Sequence, residues 1–279
     1  MIPIRDAITS RRFPAITVSL ILVNLLVFLY QSYLATQPAL VNDWQPWEAE
    51  ELSPPPAFDP QAYSLHVRTG KDPSVYPLSA SDAFIAQYAL VPAEFLRGVD
   101  LPPTIPVPIW LTLISSLFLH GGLMHLVGNM LYLWVFGDNV EDAMGRARFL
   151  LFYLLCGAAA AMAQIAFSPS SSIPLLGASG AIAGVLGAYL TLFPTARVLT
   201  LIPIFFFVRL VAVPAVLVLG IWFALQLFNG VGSLGVSSGV AWFAHIGGFL
   251  AGLALVFVFR RRSAPLVLWE LLGRRRSGS

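Results

Sequence analysis

The sequence predicts an all-α membrane protein: a bundle of six transmembrane helices with a long outer loop after the first. Three observations predict it. The first is composition, since 57% of the 279 residues are hydrophobic and only 11% are charged, against roughly 25% charged in soluble domains. Mean hydropathy is accordingly +0.78. The second is run length, because the apolar residues gather in stretches near the ~20 residues that cross a hydrocarbon core of about 30 Å. The third is the placing of arginine, which collects in connections that would share one side of such a bundle. The same numbers exclude other classes. A net charge of +2, with no basic stripe interleaved with aromatics, gives no expectation of a nucleic-acid partner. Cys156 is the single cysteine, so no intrachain disulfide can form.

The elements follow in order. Arg5, Arg11 and Arg12 precede the first apolar run, Phe13 to Leu34. It is long for a signal peptide and no small-x-small cleavage site follows, so it reads as a retained first span. Residues 35–108 break the pattern with Pro54-Pro55-Pro56, Pro102-Pro103, Pro106 and Pro108, and carry nine acidic and three basic side chains. They read as a long solvated loop with short helical pieces. The run from Val107 to Phe136 would be about 45 Å long as one helix, too long for the bilayer, and Gly121-Gly122 offers the break. Ile109 to Leu119 is expected to lie at the interface, anchored by Trp110, with the second span starting near Gly122. Four further spans are expected at about 147–167, 177–193, 203–228 and 241–259. Residues 1–12 then form a cytoplasmic N-terminal segment, 13–260 the six-helix domain with its 35–108 outer insertion, and 261–279 a basic cytoplasmic tail.

Orientation follows from charge. Arg146, Arg148, Arg197 and Arg209 fall in or beside the second-to-third and fourth-to-fifth connections, and Arg260, Arg261 and Arg262 follow the last span. With six spans these share one side with the N-terminal arginines, so both termini are expected in the cytoplasm. Connections 168–176 and 229–240 carry no charge and fall outside. The second, fourth and sixth spans therefore enter from the outer surface, and their first turns carry the chain's unusual polar groups. Ser179 opens the fourth and His245 lies about a turn into the sixth. His125 and Asn129, at i and i+4, share one face of the second. Polar side chains at membrane depth are costly unless they face the bundle interior or water, so these four are functional candidates.

A serine hydroxyl needs a base to take its proton, and His245 is the strong candidate. Gly180-x-x-x-Gly184 and Gly248-x-x-x-Gly252 are small-residue faces that let two helices approach closely, and each adjoins one member of that pair. His120 and His125 have no Cys or carboxylate at ligand spacing, so neither a metal nor another cofactor is expected. Asp138, Glu141 and Asp142 fall at the cytoplasmic end, too far from His245 to orient it, and no acid is available for a third member. At the level of residues two other classes stay open. One is a transporter with His125, Asn129, Ser179 and His245 lining a polar path, although Met130 to Phe136 below Asn129 offers an ion little. The other is a non-catalytic membrane-protein binder.

Three motifs then carry a resemblance. His120-Gly121-Gly122-Leu123-Met124-His125-Leu126-Val127-Gly128-Asn129, followed by Phe136-Gly137-Asp138-Asn139-Val140-Glu141-Asp142, resembles the second-helix signature of the rhomboid intramembrane proteases. Gly177-Ala178-Ser179-Gly180 resembles that family's GxSG element, and Ala244-His245-Ile246-Gly247-Gly248-Phe249-Leu250-Ala251-Gly252 its AHxxGxxxG element. They occur in the family's order and spacing, and the resemblance covers nearly all of 13–260. It implies a six-helix rhomboid bundle in a bacterial inner membrane, open to water on the outer side. It implies Ser179 as nucleophile, His245 as general base, and His125 with Asn129 and the Ser179 N–H as oxyanion hole. It further implies a serine endopeptidase that cuts transmembrane segments of membrane-protein substrates near the outer face. Two positions depart from the pattern: Ala183 stands where members often carry a Tyr against the His, and Leu111 follows Trp110 where members often carry Arg.

Overall fold

In lipid a backbone must satisfy its own hydrogen bonds, and the long apolar runs of this chain, apart from the stretch just before Pro214, become helices. The structure, a computed structural model, describes residues 2–37, 79–98, 107–204, 207–234 and 240–261. Strand β1 (Ile2–Asp6) precedes α1 (Ala15–Leu34). Short helices α2 (Ala80–Tyr88) and α3 (Pro92–Arg97) follow, then the helical turns of Ile109–Phe118. The remaining helices are α4 (Leu123–Met144), α5 (Arg146–Phe167), α6 (Ser179–Leu192), α7 (Ala215–Gly232) and α8 (Trp242–Phe259). Strands β2 (Arg197–Ile204) and β3 (Phe207–Pro214) lie between α6 and α7.

Among the described residues, α1, α5, α7 and α8 are long and apolar enough to cross a membrane. Ile109–Phe118 and α4 make a bent pair, 84° apart, that counts as a fifth. The expected interfacial segment thus turns away from the second helix at Gly121-Gly122. Helix α6 is a shorter apolar helix of 14 residues. It sits at the centre of the bundle, with every residue from Gly180 to Tyr189 buried. A Cβ at Gly248 would overlap the Gly180 carbonyl oxygen, and one at Gly252 would overlap that of Gly184. Helices α6 and α8 therefore meet backbone to backbone along the two small-residue faces.

The expected fifth span was set too early, at 203–228. The helix is Ala215–Gly232, and the residues before it pair as an antiparallel β2–β3 hairpin, with β1 completing a three-stranded sheet in the order β1-β2-β3. The apolar stretch before Pro214 is too rich in Val, Ile and Leu to be told from a span by hydrophobicity alone, and its β-branched content fits paired strands. Asp6 ties the sheet to the bundle, its Oδ2 accepting from Asn139 Nδ2 at 2.8 Å and from Tyr189 Oη at 2.5 Å. Glu141 caps α1, accepting from the Ile16 and Thr17 amides and the Thr17 hydroxyl at 2.8–3.0 Å, a favourable place for a carboxylate. The three acids Asp138, Glu141 and Asp142 thus belong to one end of the molecule. The bulk of the 35–108 insertion, the middle of the 229–240 connection, Phe205-Phe206 and the tail after Arg261 lie outside the described residues.

Candidate active site

The first turns of α4, α6 and α8 lie at the end opposite the sheet, and they open on one cavity of about 1220 Å³ whose lining includes His125, Asn129, Ser179 and His245. The loop before α6 is fixed first. Leu90 and Leu175 exchange backbone hydrogen bonds at 3.1 and 2.7 Å, and Ala93 N donates to Ser171 O at 3.0 Å. Gly177 N donates to Ser116 O at 2.8 Å. The part of the outer insertion around α2 and α3 therefore holds the segment that leads into Ser179. Gly177 has φ +117°, a conformation that favours glycine, and a Cβ there would come within 2.8 Å of the His125 ring. Its backbone runs past His125 and Asn129 as the chain turns into the helix.

Ser179 is the first residue of α6. Its Oγ is 2.8 Å from His245 Nε2, so residues 66 positions apart in the sequence are in hydrogen-bond contact. The amides of a helix's first turn have no carbonyl partner within the helix, which leaves donors near this hydroxyl. On the far side of the ring, His245 Nδ1 is 2.8 Å from Gln226 Oε1. Trp222 and Trp242 flank the imidazole, with ring centroids 6.0 and 6.2 Å away. Those two indoles stand by the ring in a chain where Ala183, fully buried, has no aromatic to offer.

Asn129 is buried, and its Nδ2 lies 3.0 Å from His120 Nε2. His120 is itself buried and held at its backbone by Gln31 of α1, whose Oε1 accepts from His120 N at 3.2 Å and whose Nε2 donates to His120 O at 3.3 Å. The His125 ring stands edge-on to it at 5.1 Å. Gln164 Oε1 accepts from Ala244 N at 3.2 Å, steadying the start of α8 beside His245. All four candidate polar residues are thus brought to one cavity, and Gly177, Gly180, Gly184, Gly248 and Gly252 line the approaches that bring them there. Sequence reasoning missed three contributors: Gln226, Gln164 and the role of His120 as partner of Asn129. The signal was present, since each is a polar side chain in or beside an apolar run. Among the described residues no group of three or more metal-ligating side chains comes together.

Comparison with known proteins agrees with this architecture. The Rhomboid domain family matches residues 108–262. The chain is 36% identical over 150 residues, 52% of its length and 26% of the relative's, to Rhomboid protease GluP of Bacillus subtilis (strain 168). It is 30% identical over 173 residues, 58% of its length and 42% of the relative's, to Presenilin-associated rhomboid-like protein A, mitochondrial, of Danio rerio. RHOMBOID-like protein 4 of Arabidopsis thaliana is 34% identical over 172 residues, 59% of this chain and 38% of that one. The chain therefore spans between about a quarter and two fifths of the length of these relatives. The family's domain covers more than half of the sequence on a mostly helical bundle of apolar helices, and the chain belongs to the rhomboid family.

Proposed function

We propose that this protein is an intramembrane serine endopeptidase that cuts transmembrane segments of membrane-protein substrates near the outer face. The observation that carries the reading is the 2.8 Å contact between Ser179 Oγ and His245 Nε2 at the floor of an open cavity. Depth supports it. At 1.5 Å per residue, 14 residues of α6 reach about 21 Å across a core of about 30 Å. Oriented with the sheet at the inner interface, such a helix would set Ser179 several ångströms below the outer surface, with the cavity as its route to water.

The mechanism follows from the groups. Ser179 Oγ attacks the scissile carbonyl carbon as its proton passes to His245 Nε2. The resulting oxyanion is received by His125, Asn129 and the Ser179 N–H, donors whose value lies in being placed beforehand. On collapse the C–N bond breaks and His245 returns the proton to the leaving nitrogen. The acyl ester on Ser179 is then hydrolysed by water with His245 again as base, releasing a carboxylate and restoring the serine. A substrate helix hides its amides in its own hydrogen bonds, so substrates are single spans with helix-weakening residues near the outer face. The six-span topology, with residues 13–260 as the protease domain between an N-terminal segment and a basic tail, both cytoplasmic, completes the proposal, together with a place in a bacterial inner membrane.

A fluorophosphonate probe and a transmembrane-segment substrate test it together. Wild-type protein is expected to label at Ser179 and to cleave the substrate, while Ser179→Ala loses both and unfolds at the wild-type temperature in micelles. Cleavage at the wild-type rate by Ser179→Ala would refute the nucleophile assignment. An unlabelled wild-type protein would favour a binder or a polar path instead.

A further inference from the structure

A neutral imidazole has one protonated and one bare nitrogen, and only one of its two tautomers can accept a serine proton. The tautomer is set by what the other nitrogen meets. For His245 that group is Gln226, on α7, buried at 7% exposure, with Oε1 2.8 Å from Nδ1. The amide has a definite orientation, because Gln226 Nε2 donates to the Trp222 carbonyl at 3.3 Å, which turns the oxygen toward the ring. A carbonyl oxygen can only accept, so Nδ1 carries the hydrogen and Nε2 presents its lone pair to Ser179 Oγ at 2.8 Å. The reversed amide would donate to Nδ1, put the hydrogen on Nε2 and leave the serine without a base.

We propose that Gln226 is the positioning residue of this site, resting on the Ser179–His245 reading: its Oε1 holds His245 in the Nδ1–H tautomer and fixes the ring plane. In Ser-His-Asp sites a carboxylate does this work. Among the described residues no carboxylate bonds the ring, and a neutral amide does it without burying a charge among apolar helices, where a charge is costly. The same contact answers the absence of an aromatic at Ala183. Trp222, one turn before Gln226 on the same face of α7, stands beside the ring and supplies the carbonyl that orients the amide. One turn-length of α7 therefore positions the imidazole that α8 carries.

The test compares wild type with Gln226→Met, similar in length but with no acceptor oxygen, and with Gln226→Glu, which restores one. Ser179→Ala runs beside them. Gln226→Met is expected to lower kcat about tenfold, the size of one neutral hydrogen bond, with KM within about twofold and the same fall in fluorophosphonate labelling rate. Nitrogen-15 spectra of histidine-labelled protein, with His245 assigned through a His245→Asn variant, should read a single Nδ1–H tautomer in wild type and a mixture in Gln226→Met. Gln226→Glu should return kcat to within about threefold of wild type. A Gln226→Met protein with wild-type kcat, or one whose loss leaves the tautomer unchanged and is not rescued by Glu, overturns the proposal. If Ser179→Ala retains cleavage, the nucleophile reading fails instead, and the ring spectra still decide what Gln226 does.

Discussion

Asn129 has two amide hydrogens, and one of them points at His120 Nε2. That leaves the second for the cavity and fixes its direction, because His120 is buried and pinned to α1 through Gln31. A donor held in this manner loses little on meeting a developing oxyanion. Asn129→Ala is therefore expected to lower kcat roughly 10²–10³-fold, with little change in KM. His120→Ala should lower it less, and should add almost nothing once Asn129 is gone, since coupled residues are not additive; full additivity in a double-mutant cycle would deny the coupling. The candidate groups were legible at this scale because a lone polar residue in an apolar run stands out, and because Ser179, His245, His125 and Asn129 fall at equivalent turns of helices entering from one side. Their partners were not legible. A glutamine such as Gln226 reads in sequence as a tolerated polar residue, and only the crossing of α7 over α8 shows what its oxygen meets.

Between helices the decisive contact is backbone on backbone. At Gly248 and Gly252 any side chain would overlap carbonyl oxygens of α6, and a backbone group cannot swing aside as a flexible side chain can. Gly248→Val is expected to destabilise the protein by about 1–3 kcal/mol or more and to reduce cleavage by separating His245 from Ser179. Gly220→Ala in α7 is the control, because a Cβ there meets nothing within 4 Å; equal unfolding temperatures for the two variants would contradict the packing argument. The sequence revealed these faces through four-residue glycine spacing. It concealed the β2–β3 hairpin, whose Val, Ile and Leu residues read as the front of the fifth span. The sheet in turn gives an expectation in pH. Burial raises the Asp6 carboxyl above its ordinary value of 3.8, so the folded protein holds this proton more tightly than the unfolded chain does. The stability it contributes is fully present below about 3.8 and is lost as pH rises through the raised value. Asp6→Asn keeps an acceptor oxygen for Asn139 and Tyr189 while removing the titration. Unfolding temperature in micelles should then fall less from pH 4 to pH 7 than in wild type, and parallel curves would sink the assignment.

Over the whole molecule, charge and chemistry sort to opposite ends. Arg11 N donates to Asp142, the Arg146 guanidinium reaches Phe13 O at 3.5 Å, and Arg261 N donates to Ala143 O at 2.9 Å. Segments far apart in sequence thus bring their arginines to the end that also carries the sheet. The cavity with Ser179 and His245 lies at the other end, beneath the charge-free 168–176 loop. Arginine-rich connections favour the cytoplasm, and this polarity is the ground for the proposed orientation, with the cavity facing outward. Cys156 is fully buried and leaves a silent background for thiol labelling. In intact cells expressing the protein, a membrane-impermeant maleimide is expected to label Ser170→Cys, in the exposed loop before α6. Arg148→Cys, exposed near the start of α5, should react only after the membrane is opened. The reverse pattern would turn the molecule over, putting the hydroxyl and imidazole beneath the cytoplasmic face and moving the cleavage site on any substrate to that side.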